Sequence, residues 1–348
     1  MDLLPFGAQA ALVGLFGGLI LGLAGRMGYF CSLGALETAV YGHDQTRLRM
    51  WGMALGTSII GVFTLNAAGI FDFSLSFYHQ VKWNPLASIF GGLLFGYGMA
   101  MAGNCGYSAL TRFGGGDLRA LVVLVVMAIF SFITLNGPLA APRLLLIKEE
   151  PSEEISSIAY TLGEATGIAP FAIALAFATV LILWALSYEK LRNNHEQIFW
   201  SVAVGFAITF GFWGTSFLND SSFGEVMVES YTFTAPLGRT LIWLMTSSAG
   251  GLVFSVGSVL GVITGAFIGS SIKRDFKWEA CEDPRELGRQ VGGAALMGIG
   301  GVTALGCSVG QGLSAFSTLA YSGPVTLAAI AAGGLIGLRH LIHGFEPE

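Results

Sequence analysis

The sequence predicts an all-α integral membrane protein of about nine transmembrane helices, in two inverted-topology repeats with re-entrant Gly/Cys loops. Three observations predict it. Of 348 residues, 53% are hydrophobic and 11% charged, with a mean hydropathy of +0.69, whereas a soluble domain carries about 25% charged residues. The charges cluster so as to leave eight long charge-free stretches, 3–25, 50–71, 83–111, 120–142, 165–188, 197–219, 240–272 and 290–338. The 50 glycines are about twice the usual frequency, as close helix packing and irregular backbone inside a bundle require.

A helix needs about 20 apolar residues to cross the hydrocarbon core. Seven stretches supply one crossing each, and the last is long enough for two. The stretches at 83–111 and 240–272 exceed one crossing and leave room for an extra half-inserted piece. No Lys or Arg precedes the first apolar run, so a cleavable signal peptide is not expected.

Cationic residues set the orientation. With nine crossings, the even-side loops receive Arg26, Arg47, Arg49, Arg112, Arg119, Lys190, Arg192, Lys273, Arg274, Lys277, Arg285, Arg289 and Arg339. The other face receives Lys82, Arg143, Lys148 and Arg239. That bias predicts an N-terminus outside and a C-terminus in the cytoplasm. The acidic loop at Glu149, Glu150, Glu153 and Glu154 then lies outside as a solvated connector.

Two segments share a layout. Gly91–Gly116 reads GGLLFGYGMAMAGNCGYSALTRFGGG, and Gly292–Ala320 reads GGAALMGIGGVTALGCSVGQGLSAFSTLA. Each runs from a glycine-rich helix into a cysteine loop and then into small and hydroxyl residues. Pro85 and Pro284 open the preceding helices. Residues 1–147 read as a first transmembrane repeat and 148–196 as a connector with one crossing. Residues 197–348 read as a second, inverted repeat. The odd connector makes the second unit enter from the opposite face, a layout that places substrate sites at broken helices near the midplane.

Cys31, Cys105 and Cys307 each end a span beside glycine, with serine close behind. Glycine favours a turn there, and non-helical backbone at membrane depth is tolerated only inside protein or along a cavity. Exposed N–H groups of such loops favour anions. The candidate binding residues are Cys31, Cys105 and Cys307 with Gly103, Asn104, Gly106, Ser108, Gly306, Ser308, Gly310 and Gln311. A single cysteine is more often a small buried hydrophobe; three in matching contexts favour function. Arg26 and Arg112 are positioned to hold an anion at the inner mouth, or equally to snorkel under the positive-inside bias. Cys281, in a charged loop, reads as an ordinary cytoplasmic thiol.

Other classes find little support. No basic stripe suggests nucleic acid. There is no C-x-x-C pair, and His43, His79, His195, His340 and His343 lie away from the cysteines, so neither a metal nor another cofactor is expected. Cysteines facing different compartments argue against a structural disulfide. No Ser/His/Asp or Cys/His arrangement marks an enzyme, and Glu37, the foremost acid within a span, reads as a helix cap.

At these loops the chain resembles the YeeE/YedE family of bacterial thiosulfate and sulfur-compound transporters. The resemblance runs through Arg26-x-Gly-x-Phe-Cys31, Ala102-Gly-x-Cys105 and Gly306-Cys-x-x-Gly310, and covers nearly the whole chain. It implies uptake of thiosulfate past the three cysteines across a bacterial inner membrane, with the N-terminus periplasmic and a TusA-like sulfur-carrier protein as cytosolic partner. Asn104 and Ser108 stand where the family pattern has glycine. Sulfite or a selenium compound is the neighbouring alternative. A sulfurtransferase-like protein forming a cysteine persulfide is a second, and a purely structural subunit a third.

Magnitude dictates the protonation state of the thiols. A thiolate 4 Å from one negative charge costs about 4 kcal/mol at an effective dielectric of 20, and a dianion doubles that. Neutral S–H donors and glycine N–H groups therefore predict a relay from Cys307, Ser308 and Gln311 at the outer mouth, through Cys105, to Cys31 near the cytoplasm.

Overall fold

The computed structural model describes residues 4–146, 151, 155–248, 251–280 and 283–343. Lys148, the four loop glutamates and Cys281 lie outside them. The chain is all helical. Its first half contains α1 (Phe6–Met27), α2 (Ser32–Val40), α3 (Thr46–Ala67), α4 (Phe77–Gln80), α5 (Pro85–Ala102) and α6 (Gly106–Gly114). Next come α7 (Leu118–Leu135), α8 (Ala140–Leu146), α9 (Ile158–Thr166), α10 (Pro170–Leu186) and α11 (Glu189–Arg192). The second half holds α12 (His195–Ser221), α13 (Ala235–Thr246), α14 (Phe254–Lys273), α15 (Pro284–Thr303) and α16 (Ser322–His343). A π-helical stretch, Gly310–Ala315, interrupts the segment before α16.

Among the described residues, seven helical spans are long and apolar enough to cross a membrane: Phe6–Val40, Thr46–Ala67, Pro85–Gly114, Leu118–Leu135, His195–Ser221, Phe254–Lys273 and Ser322–Ile342. The expected count of nine included two further helices, one shorter and one more charged than these seven. α10 is apolar but only 17 residues long, and α15 carries Arg285, Glu286 and Arg289 in its first two turns. In the long stretch 240–272, α13 ends at Thr246 and α14 begins at Phe254. α10 and α12 turn large apolar side chains outward, including Phe177, Val180, Leu183, Phe206 and Phe217. Exposed in this way, they suit contact with lipid tails.

Small residues bring the central helices together. A Cβ added at Gly18 would lie 2.5 Å from the Ser258 carbonyl oxygen, and one at Gly22 2.3 Å from that of Val262. From the other side, a Cβ at Gly265 would lie 2.2 Å from the Leu19 carbonyl oxygen. Backbone therefore meets backbone along α1 and α14, where no side chain can flex away. This is the small-residue packing by which membrane helices associate without a hydrophobic drive. α5 packs likewise on α15 and α16, where Gly96 faces the Ile330 carbonyl and Gly300 faces Phe95 N. Gly22→Val is expected to cost at least 1–3 kcal/mol, roughly the overpacking range, read as a lower unfolding temperature in detergent.

Outside the spans, α4 buries His79 against Phe73, with ring centroids 5.7 Å apart. Neither ring nitrogen has a hydrogen-bond partner, and burial lowers the imidazole pKa from 6.5 to about 4. Only the neutral ring suits this place. The unfolded chain takes up the proton near pH 6.5 and the folded chain resists it to about 4, so stability is lost as pH falls through that window. Thermal unfolding should show that loss, and His79→Phe should reduce it.

Candidate functional site

Each of the three cysteines caps a helix. The Cys31 sulfur accepts the Gly34 N–H at 3.4 Å at the start of α2. The Cys105 sulfur accepts the Ser108 N–H at 3.5 Å at the start of α6. Cys307 accepts the Gly310 N–H at 3.4 Å, opening the short helix at 308–317. In all three the donor lies three residues on, the place where Ser, Thr or Asp usually accepts at an N-cap. A broken helix leaves its first N–H groups without intrahelical partners, and sulfur satisfies one at each break. The three breaks thus repeat one local geometry.

The turn before Cys105 depends on Gly103. This residue closes α5 with φ +73°, a left-handed conformation that glycine adopts without a Cβ penalty. Asn104 follows, buried, with its Oδ1 lacking a partner. Gly106 begins α6 against Met127. Gly306 precedes Cys307 and packs on Gln311, while Gly310 lies against Thr232.

Tertiary packing gathers the caps around one polar thread. The Ser108 hydroxyl donates to the Cys31 sulfur at 3.1 Å and lies 3.3 Å from the Cys105 sulfur. Next to Cys31, the Ser32 hydroxyl donates to that of Ser308 at 3.1 Å. Beyond it the Cys307 sulfur accepts the Phe233 N–H at 3.3 Å, with the Thr232 hydroxyl 3.7 Å away. The elements before α2, α6 and α13 and after α15 all reach this thread. Cys105 and Cys307 are each 1% exposed, and Cys31 is half-buried.

Cavities flank the thread. One of about 230 Å³ is lined by Cys31, Asn104, Ser108, Arg26, Arg47 and Arg112. Glu37 also lines it, so three guanidinium groups face one carboxylate. Arg26 forms an ion pair with Asp275 at 2.9 Å, and Arg112 lies 3.9 Å from Asp117. At the other end of α5, a narrow cavity of about 20 Å³ lies against Asn84, Ala87 and Ser88 and reaches Gln311 past Trp83 and Tyr321. Sharing Tyr78 and Leu305 with it, a cavity of about 80 Å³ is lined by Thr232, Thr234, Gly306, Glu229 and Arg239. α5, with 18 residues, separates the two ends by about 27 Å at 1.5 Å per residue.

The sequence-predicted residues divide accordingly. Cys31, Asn104, Ser108, Gly103, Arg26 and Arg112 gather at the arginine-rich cavity; Cys105 lies behind it. Gly306 and Gln311 border the opposite cavities. Ser308 differs from expectation: it is fully buried against Ser32 at the centre rather than placed at a mouth. Gln311 is also fully buried, donating to the Leu305 carbonyl with its Oε1 unpartnered. Sequence reasoning missed Arg47, Thr232, Tyr78, Glu229 and Arg239. None sits in a motif, and only the two charges in a nearly uncharged region were visible as signals.

Thiols on broken helices thus lie between cavities of a multi-pass membrane protein. The chain matches the sulphur transport family over residues 27–336 and belongs to it. It is similar to the thiosulfate transporter TsuA of Spirochaeta thermophila, 26% identical over 325 residues, covering 89% of this chain and 92% of that protein. It is 25% identical over 346 residues to the thiosulfate transporter TsuA of Escherichia coli, covering 92% of each.

Burial predicts an order of thiol reactivity. In a Cys281→Ser background, Cys31 should react with a small maleimide about tenfold faster than Cys105 or Cys307, because alkylation requires access. Peptide mass spectrometry over time reads the three rates separately.

Proposed function

We propose that the chain carries thiosulfate across the membrane, from the cavity at Thr232 and Gly306 to the arginine-rich cavity at Cys31. The observation that carries this reading is the polar thread of sulfur and hydroxyl groups between cavities at opposite ends of α5. Thiosulfate has three oxygens and a soft sulfur, which suit N–H and O–H donors and neutral S–H donors respectively. Both similar proteins named above are thiosulfate transporters. Weak donors in series let an ion bind and leave, as passage requires.

The arginine-rich cavity faces the cytoplasm in this reading, because α1 and α6 end there with Arg26 and Arg112 and the positive-inside rule places such ends inward. The N-terminus is then periplasmic. α10 and α15 complete nine crossings. Packing supports the inverted repeat, since helix pairs recur when α1, α3, α5 and α7 are exchanged for α12, α14, α15 and α16. α1 packs on α14 as α12 packs on α3, and α5 packs on α16 as α15 packs on α7. α6 likewise contacts α14 as the π-helical stretch contacts α3. Pro85 follows the Asn84 cap as Pro284 follows the Asp283 cap.

Asn104 and Ser108 extend the donor set at the Cys31 cavity. Ser108 stands between two sulfurs, where glycine would leave only backbone. A cytosolic sulfur-carrier protein of the TusA kind is the expected partner.

The test is uptake of radiolabelled thiosulfate by cells lacking other routes. Cys105→Ala is expected to lower the initial rate at least tenfold, roughly the effect of losing one charge-assisted hydrogen bond worth about 1.5–3 kcal/mol. Uptake at the unaltered rate, with equal protein in the membrane, would exclude a central thiol.

A further inference from the structure

The cavity at the Thr232 end holds a carboxylate that the thiol thread does not use. Glu229 lies between α12 and α13, with its side chain 17% exposed and an Oε1 4.0 Å from Nη1 of Arg239 on α13. Their cavity touches Thr232 and Gly306, the neighbours of Cys307. Its titratable lining residues, among those described, are Glu229, Arg239 and, from α4, Tyr78. The two ends are electrostatically unlike. Three arginines and one glutamate line the Cys31 cavity, whereas one arginine and one glutamate line this one. A dianion arriving here meets a pair that sums to zero and a carboxylate that repels it.

We propose that Glu229 is a proton-binding group of this cavity, so that a thiosulfate dianion binds there together with one proton. The proton goes onto a Glu229 carboxylate oxygen. The pair then changes from neutral to a charge of +1, and the Arg239 guanidinium faces the anion uncompensated. No bond other than the O–H forms, and the proton leaves the carboxyl when the anion has gone. Burial raises the Glu229 pKa above the ordinary carboxylate value, against the opposing pull of Arg239. Tyr78 stays neutral through this change, since its hydroxyl pKa is raised by burial and by the nearby Cys307 and Glu229. The inference rests on thiosulfate as substrate, and it adds that the carboxylate at the outer cavity sets the affinity.

The half-saturation concentration for thiosulfate uptake, measured against external pH from about 8 to about 5, tests it, since thiosulfate remains a dianion throughout that range. In the unaltered protein it should fall as pH falls, by up to about tenfold per unit where the carboxyl is ionised. Glu229→Gln should give a pH-independent value, and Glu229→Asp, which keeps the carboxyl, should restore the slope. A flat profile in the unaltered protein, or an unchanged slope in Glu229→Gln, overturns the proposal while leaving thiosulfate transport standing. Should Glu229→Gln fail to reach the membrane, the slopes of the unaltered and Glu229→Asp proteins decide the matter, both flat being the overturning result. Absence of saturable thiosulfate uptake by the unaltered protein at every pH overturns the substrate reading instead.

Discussion

A peptide N–H removed from water must find an acceptor, and inside a bilayer it cannot find one in the solvent. The bundle breaks its helices at Cys31, Cys105 and Cys307, and each break frees N–H groups inside the protein. A cysteine sulfur accepts one of them each time, three residues along. Serine could cap as well. Sulfur, however, is a weaker acceptor and a weaker donor, so it satisfies the backbone more loosely than a hydroxyl would. The remaining architecture follows from keeping these breaks away from lipid. They must be surrounded by protein, and glycine-lined faces such as that of α1 on α14 let the surrounding helices close in.

That enclosure has an electrostatic consequence. With the sulfurs packed within hydrogen-bond reach of hydroxyls, a charge introduced at one would be felt by its neighbours at low local dielectric. Neutral thiols and hydroxyls can link three helix starts into one thread, while formal charge stays in the cavities at the ends. Ser108 and Ser32 make the links. Three arginines and one glutamate line one cavity, and the Glu229–Arg239 pair gives the opposite one a balanced charge.

Much of the fold was legible as composition and charge placement. The stretches at 3–25, 50–71, 120–142 and 197–219 correspond to α1, α3, α7 and α12, because absence of charge over about 20 residues is itself the condition for crossing. Breaks at Gly103–Cys105 and Gly306–Cys307 were visible as glycine runs. The count of nine was less secure, because the opening charges of α15 depend for their environment on neighbours remote in sequence. The cysteines were found by their shared context. Ser308 was misplaced because its position after Cys307 says nothing of whether the helix it opens faces a mouth or the centre. Thr232 and Tyr78 carry no local pattern at all, and Glu229 and Arg239 show only as charges in a nearly uncharged stretch.

The sequence by itself determined the solvent, the helical class and the sites where helices must stop, because each of these is set by side chains within one stretch of chain. Tertiary structure alone decided that three distant helix starts share a thread, that Ser32 meets Ser308 across 276 residues, and that Glu229 stands near Arg239 beside Cys307. Those relations depend on which glycine face meets which backbone. Close packing of whole helices settles that, and no local preference encodes it.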